Sequence, residues 1–500
     1  MSTLIPIPIP IPQARFQELV DAFCEGRPDE GWPGDIADWD VSQVEDMSNA
    51  FASRETFNAD LSRWDVSRVT NMAGMFKNAR AFNRPLGNWD VSRVKNMSSM
   101  FQGAEIFDQD LTDWNTGAVE SFADMFAHAL SFNGDLSRWN TGRARSLRGM
   151  FHGARIFNRP VGDWDVSQVV DFSCMFYDAQ AFNQPLGRWT LGPHTRTLRR
   201  MFSGATSFQQ DDISHWDTGA VRDMSGLFLE ARRFNAPIGR WNVSQVTDMG
   251  DMFLEAQAFN QSLEDWDVRR VTCFQGMFCG AVVFDQPLGG WNTAAATDMT
   301  AMFQGAERFH QSLDTWNTSH VTCMARMFSH ATAFAPASLD AWDTGAVTNM
   351  RAMFRGARRF NAALSRWDTR RVENMTAMFC GAEAFDQDLS HWDVGHVTNM
   401  ENMFRDARAF DHPLGCWDVS SVTNMDGMFS GTRAFRQSLV AWDVEANLRS
   451  SLEDIFRGAE RFDVEQHAPS ALHARRRLCR VRYFNSAAED KTPSRECALM

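Results

Sequence analysis

Residues Phe82 to Ala104 read FNRPLGNWDVSRVKNMSSMFQGA, and the fold follows from this run. Counting Phe82 as 0, apolar residues return at +4 (Leu86), +7 (Trp89), +12 (Val94), +15 (Met97), +18 and +19 (Met100, Phe101) and +22 (Ala104). The same pattern recurs along the chain. Trp returns every 25 residues from Trp39 to Trp189, from Trp216 to Trp316 and from Trp342 to Trp442. The blocks are separated by slips of 27 and 26 residues, which makes 17 copies over about residues 35–462. Self-similarity at such a period marks a solenoid, in which each copy buries its apolar face against the next.

Within a copy the periodicity changes. Trp89-Asp90-Val91 alternates in, out, in, and the +9 slot is Val or Thr in every copy except at Leu191, which predicts a short strand. Ser or Gly at +10 suits a helix N-cap. Val94, Met97, Phe101 and Ala104 then fall at helical spacing, with Gly103 at the helix end. The expected fold is an α/β repeat solenoid, leucine-rich-repeat-like, of stacked strand, turn and short helix. The rest divides into an Ile/Pro extended arm (1–12), an N-terminal cap helix and lead-in (13–34), and a mildly basic C-terminal tail (463–500).

Composition supports one elongated unit. A chain of 500 residues would ordinarily make about three domains. Its 40 Phe, 27 Met and 18 Trp against 2 Tyr are instead explained by one repeated copy. The net charge of −14 argues against a nucleic-acid partner. No run of about 18 apolar residues occurs, so no membrane span is expected. The 9 cysteines are irregularly placed with no CxxC, and Cys273 and Cys323 sit two copies apart, so free thiols are expected and zinc is not.

The run LSRWDVSRVTNMAGMFKNARAFN, Leu61 to Asn83, resembles the repeat of BspA-like leucine-rich repeat surface proteins, and the likeness extends over about residues 35–462. Phe16 to Trp32 resembles the cap helix and lead-in that precede such repeats. The resemblance implies a solenoid used in surface display, adhesion or partner binding, without enzymatic activity. The N-terminus has no signal-peptide pattern and the chain shows no anchor. The sequence therefore favours an intracellular location, and the resemblance a cell surface.

Few residues suggest chemistry. The +8 slot is Asp in 11 copies and Asn in five, with Thr190 the exception. Backbone capping is the expected role, and a calcium-binding column is the remote alternative. His310, His320 and His330 lie ten residues apart within one copy and are not expected to converge. Five N-x-S/T sequons begin at Asn96, Asn242, Asn260, Asn317 and Asn374, all in slots that recur as Asn for other reasons. An enzymatic pocket, if present, would fall at the slip region Thr190–Asp212, where Pro193, His194 and Asp211-Asp212 break the pattern. No cofactor is expected. The slot that stacking leaves free is +6, just before each Trp. Its candidates for contact with a protein partner are Arg63, Asn88, Asp113, Arg138, Asp163, Arg188, His215, Arg240, Asp265, Arg366 and His391. The expected function is a non-enzymatic protein-binding or adhesion scaffold, the alternative a structural or self-associating rod.

Overall fold

The computed structural model describes residues 10–27, 34–444 and 452–469. Most of the Ile/Pro arm and most of the basic tail lie outside these residues. Helix α1 (Gln13–Cys24) opens the described chain, followed by stacked coils of one repeat each.

The coil is built from turns. Met100 N–H donates to Met97 C=O at 3.2 Å, Gln102 to Ser99 at 3.1 Å and Ala104 to Phe101 at 3.1 Å. The alternate amides point the other way along the stack. Met97, Ser99, Phe101 and Gly103 N–H donate to Ser121, Ala123, Met125 and Ala127 C=O of the next coil, at 2.7–3.0 Å. With Ser98 N–H taken by Asn96 Oδ1 at 3.0 Å, every backbone donor from Met97 to Ala104 is used. Parallel bridges at +14 (Asp46, Asn71, Asn96, Ser121 and onward) mark the same ladder.

The expected strand and helix therefore take another form. Residues 98–103 are consecutive turns, because Ser99 (φ 57°) and Gly103 (φ 68°) adopt left-handed backbone that no helix interior contains. Both are third residues of a turn, the position a type II turn requires to be left-handed. Turns closed by i→i+3 bonds place apolar residues three apart, which resembles helical spacing over one short segment. The extended pairing also sits later in the copy than Trp89–Val91. Among the described residues it reduces to isolated bridges.

The core is a set of columns. Phe101 stacks on Phe76 and Phe126 with ring centroids 5.6 Å apart, and on Phe107, which opens the following copy, at 4.0 Å. Trp114 stacks on Trp139 at 6.2 Å. The indole N–H of each Trp from Trp64 to Trp442 reaches a carbonyl of the preceding coil, as Trp89 does to Leu61 at 3.0 Å. The Val/Thr slot at +9 has a related logic. Thr116 Oγ1 donates to Asn140 C=O of the next coil at 3.0 Å, so a buried hydroxyl there is satisfied.

The first coil is closed by α1. Phe16 meets the Trp64 ring edge-on at 5.9 Å. The Gln13 amide bonds Glu45 N–H, Asp46 N–H and Asp46 C=O, backbone groups that an earlier coil would otherwise meet. At the other end, Gly427 and Phe429 N–H donate to Asp454 and Ile455 C=O in α2 (Leu452–Ile455), and Leu439 N–H to His467 C=O at the end of α3 (Val464–His467).

Candidate interaction surface

The two residues flanking each buried Trp face solvent, since Trp89 is 4% exposed while Asn88 and Asp90 are both exposed. All eleven partner candidates before the Trp are exposed. The stack brings some of them together. Arg63 pairs with Asp38 at 2.7 Å, Arg138 with Asp113 at 3.2 Å and Arg188 with Asp163 at 2.6 Å, each across one coil step. Much of the row's charge is thus self-compensated up to Arg188. Beyond it, His215 shares its ring Nδ1 with Ser214 Oγ at 2.9 Å, and Arg366 N–H donates to Asp340 at 3.1 Å.

The row after the Trp holds the backbone. From Asp40 to Asp418 every Asp or Asn in it accepts a bond from the N–H two residues on, at 3.0–3.3 Å, as Asp90 does from Ser92. These are Asx turns, so +10 receives the cap and does not itself cap a helix. The Asp90 carboxyl is held below its usual range by the Ser92 hydroxyl and then by its N–H. Arg269 does the same for Asp267, and Arg370 for Asp368, through side-chain bonds.

Two further polar rows carry the same kind of bond. At +14, Asn96 Oδ1 accepts from Ser98 N–H at 3.0 Å and Asn374 from Thr376 at 2.9 Å. At +1, Asn83 Oδ1 accepts from Asp108 N–H of the next coil at 3.1 Å, and Asn260 from Asp285 at 2.9 Å. With Asn242 and Asn317 in the row after the Trp, all five sequon asparagines are engaged with the backbone. The signal for both rows was the recurrence of Asn and Asp at fixed phase, visible at +1 and +14 in the repeat alignment.

The remaining candidates find separate partners. His310 Nδ1 meets Asp285 at 2.9 Å, His320 meets Ser319 at 3.2 Å, and His330 leans over Gly356. Asp212 in the slip region accepts from Gly187 N–H one coil back at 2.6 Å, and His194 is exposed. Cys273 and Cys323 are free thiols, and burial pushes the Cys273 thiol up to about 11. Among the described residues no group of three or more His, Cys, Asp or Glu is placed to hold a metal ion. An open cleft of about 510 Å³ lies between Ser319, Asp343, Gly345, Asp368 and Arg370, where Arg370 and Asp368 pair at 2.6 Å. Among the same residues no helix is long and apolar enough to cross a membrane.

Known structures offer distant likenesses. A TLR13–ssRNA13 complex is 10% identical, covering 84% of this chain and 86% of that one, with a TM-score of 0.16. A leucine-rich cell surface protein from Faecalibacterium prausnitzii A2-165 is 12% identical over 83% and 86%, with a TM-score of 0.25. The functional domain of InlJ from Listeria monocytogenes is 8% identical over 72% and 73%, with a TM-score of 0.20. At TM-scores this low none of the three bears on the shape or binding of this chain. No curated protein matches it in sequence. A family model does, in five overlapping segments: residues 19–133, 109–211, 196–314, 284–390 and 359–468. The chain belongs to the family described as Mycoplasma protein of unknown function, DUF285.

Proposed function

We propose that the chain is a non-enzymatic protein-binding or adhesion scaffold, reading its partner with the exposed row before each Trp. The observation that carries this is the contrast between neighbouring slots. Trp241, Trp266, Trp367 and Trp392 repeat at 3% exposure, while the exposed residues before them are Arg240, Asp265, Arg366 and His391. A fixed core holding a varied outer row is a surface suited to recognising one partner along its length. Catalysis would need unlike groups converging in a pocket, whereas the stack sets out its side chains in rows. The resemblance of the repeat to BspA-like surface proteins supports adhesion, and favours display at a cell surface over an intracellular site.

A photo-crosslinking residue placed at Arg240 or His391 tests the reading, with one at Gln257 as control. The expected result is a protein adduct of one mass from the first two positions and none from Gln257. Equal labelling from all three, or adducts only between copies of the chain, contradicts it.

The rod alternative rests on one feature. Ile106, Leu130 and Ile156 are 48%, 40% and 49% exposed on three successive coils. If these join copies side by side, sedimentation gives concentration-dependent oligomers that Ile106→Ser and Ile156→Ser abolish.

A further inference from the structure

The chain is acidic overall, yet one face is not. The outward rows from +11 to +17, over the coils between residues 118 and 226, carry seven arginines against four carboxylates. The carboxylates Asp171 and Asp223 are occupied in capping Ser173 and Ser225 N–H, and Asp124 pairs with Arg148 at 3.3 Å. Glu120 is the fourth. Arg143, Arg145, Arg148, Arg199 and Arg222 are all exposed. Arg196 is turned inward to the carbonyls of Pro193, Thr195 and Ala220. Arg200 leans over Gly226 toward the half-buried Asp251, whose carboxyl is raised by burial and drawn down by that guanidinium.

The geometry is that of a flat strip. Arg145 and Arg148 lie on one coil and Arg199 two coils on, a separation set by two aromatic steps of 5.6 Å. Between them run hydroxyls, with Ser173 Oγ 3.2 Å from Thr197 Oγ1. The Cys174 thiol at its centre is raised by burial and slightly by Asp124, while Arg200, Arg148 and Arg199 pull it down, so three guanidiniums and one carboxylate share its surroundings.

We propose that this face binds an acidic polysaccharide, a linear sugar polymer bearing sulfate or carboxylate groups. Guanidinium forks match such groups bidentately, and the hydroxyls between them match sugar hydroxyls. Other polyanions fit less well. Single-stranded nucleic acid is held by aromatic stacking, and the phenylalanines of these rows, Phe122 and Phe172, are fully buried. An acidic protein segment would need an apolar anchor in a pocket, whereas Leu147, Leu198 and Met224 are all fully buried too. The net charge of −14 repels polyanions as a whole, so any binding must be local. The site is separate from the row before the Trp and does not depend on it.

The test is titration of the full chain with heparin at low salt, beside polyglutamate and an oligo-dT strand. The variant Arg145→Glu/Arg199→Glu changes two exposed residues, and Arg358→Glu/Arg408→Glu is the control. The expected result is heparin binding that weakens as salt rises, falls about tenfold or more in the first variant and holds in the control. A melting curve checks that both variants fold. If the first variant does not fold, Arg145→Ser alone replaces it with a smaller loss expected. Absence of heparin binding, an unchanged affinity in the variant, or equal or tighter binding of polyglutamate or oligo-dT overturns the proposal.

Discussion

The indole Nε1 of Trp266 donates to the carbonyl of Ile238, in the preceding coil, at 3.3 Å. The ring is 3% exposed and stacks on Trp291 at 6.5 Å. Trp266→Ala removes stack, contact and donor together, and is expected to cost about 3–5 kcal/mol in denaturant unfolding. Trp266→Phe keeps a ring but loses the indole bond to the Ile238 carbonyl, which still accepts from Trp241 N–H at 3.0 Å, so it should lie between wild type and Ala.

Asp90 and its equivalents are expected to act as backbone caps. Asp90→Asn should be mild, since Asn115 and Asn140 do the same in their coils. Asp90→Ala should cost about 0.5–2 kcal/mol. If the row serves the backbone, melting curves of the wild type in calcium and in chelator should superimpose within about 2 °C, because a ligand raises stability only by binding the folded state. A calcium-dependent rise that Asp90→Asn removes would make the row a cation site.

The same carboxyls set the acid limit of stability. Asp90, Asp267, Asp368 and Asp418 are all held below the ordinary carboxyl value in the folded chain, chiefly by side-chain bonds from Ser92, Arg269, Arg370 and Ser420. A depressed folded value gives stability that is present above the unfolded value of about 3.9 and lost as pH falls through the folded value. The melting temperature should therefore decline below about pH 4. The decline should be shallower when several of these aspartates are replaced by Asn.

At Gly149, two separate features favour glycine. A Cβ at Gly149 (φ 58°) would stand 2.1 Å from Asp124 Oδ1, so the previous coil's side chain occupies its space. Gly149→Ala should cost on the order of 1–3 kcal/mol. Adding Asp124→Gly should recover the clash but not the backbone strain. Gly290→Ala meets nothing nearer than 3.7 Å and should be close to neutral in the same melting assay.

Thiol reactivity should follow burial. Cys416 is exposed and should be alkylated by iodoacetamide first among the described cysteines. Cys273, pushed up to about 11, should stay unmodified near neutral pH and react only as pH approaches that value. Peptide mapping after timed alkylation checks the order.

The columns and the outward rows could be read from the sequence because every copy repeats them in phase. Val94, Met97, Phe101 and Ala104 are buried as their spacing requires. The expected helix does not form, and its spacing arises because turns closed every three residues place apolar side chains at nearly helical intervals over ten residues. A signal against it was present: the left-handed slots hold Asn49, Gly74 and Gly149 at one phase and Asn78, Gly103 and Gly153 at another. Arg200, Glu230 and Ala301 occupy the same slots and obscure it, since the ladder between coils holds them left-handed against their own preference. At the surface, the row before each Trp was identifiable, but its pairing was not. Whether Arg63 leans to Asp38 or away from it depends on side-chain rotamers, which no residue pattern encodes.

Because neighbouring coils bond and stack on each other, the chain is expected to open along the stack and not as separate domains. Native-state hydrogen exchange on the wild type and on Trp266→Ala tests this most directly. The ladder amides Phe253 and Phe278, bonded to Met277 and Met302 at 2.9 and 2.8 Å, should both lose protection in the variant. The loss should spread, with decreasing size, to Phe228 on one side and Phe303 on the other. Loss confined to the coil of Trp266, or a sharp boundary between blocks of ordinary domain size, would contradict the account.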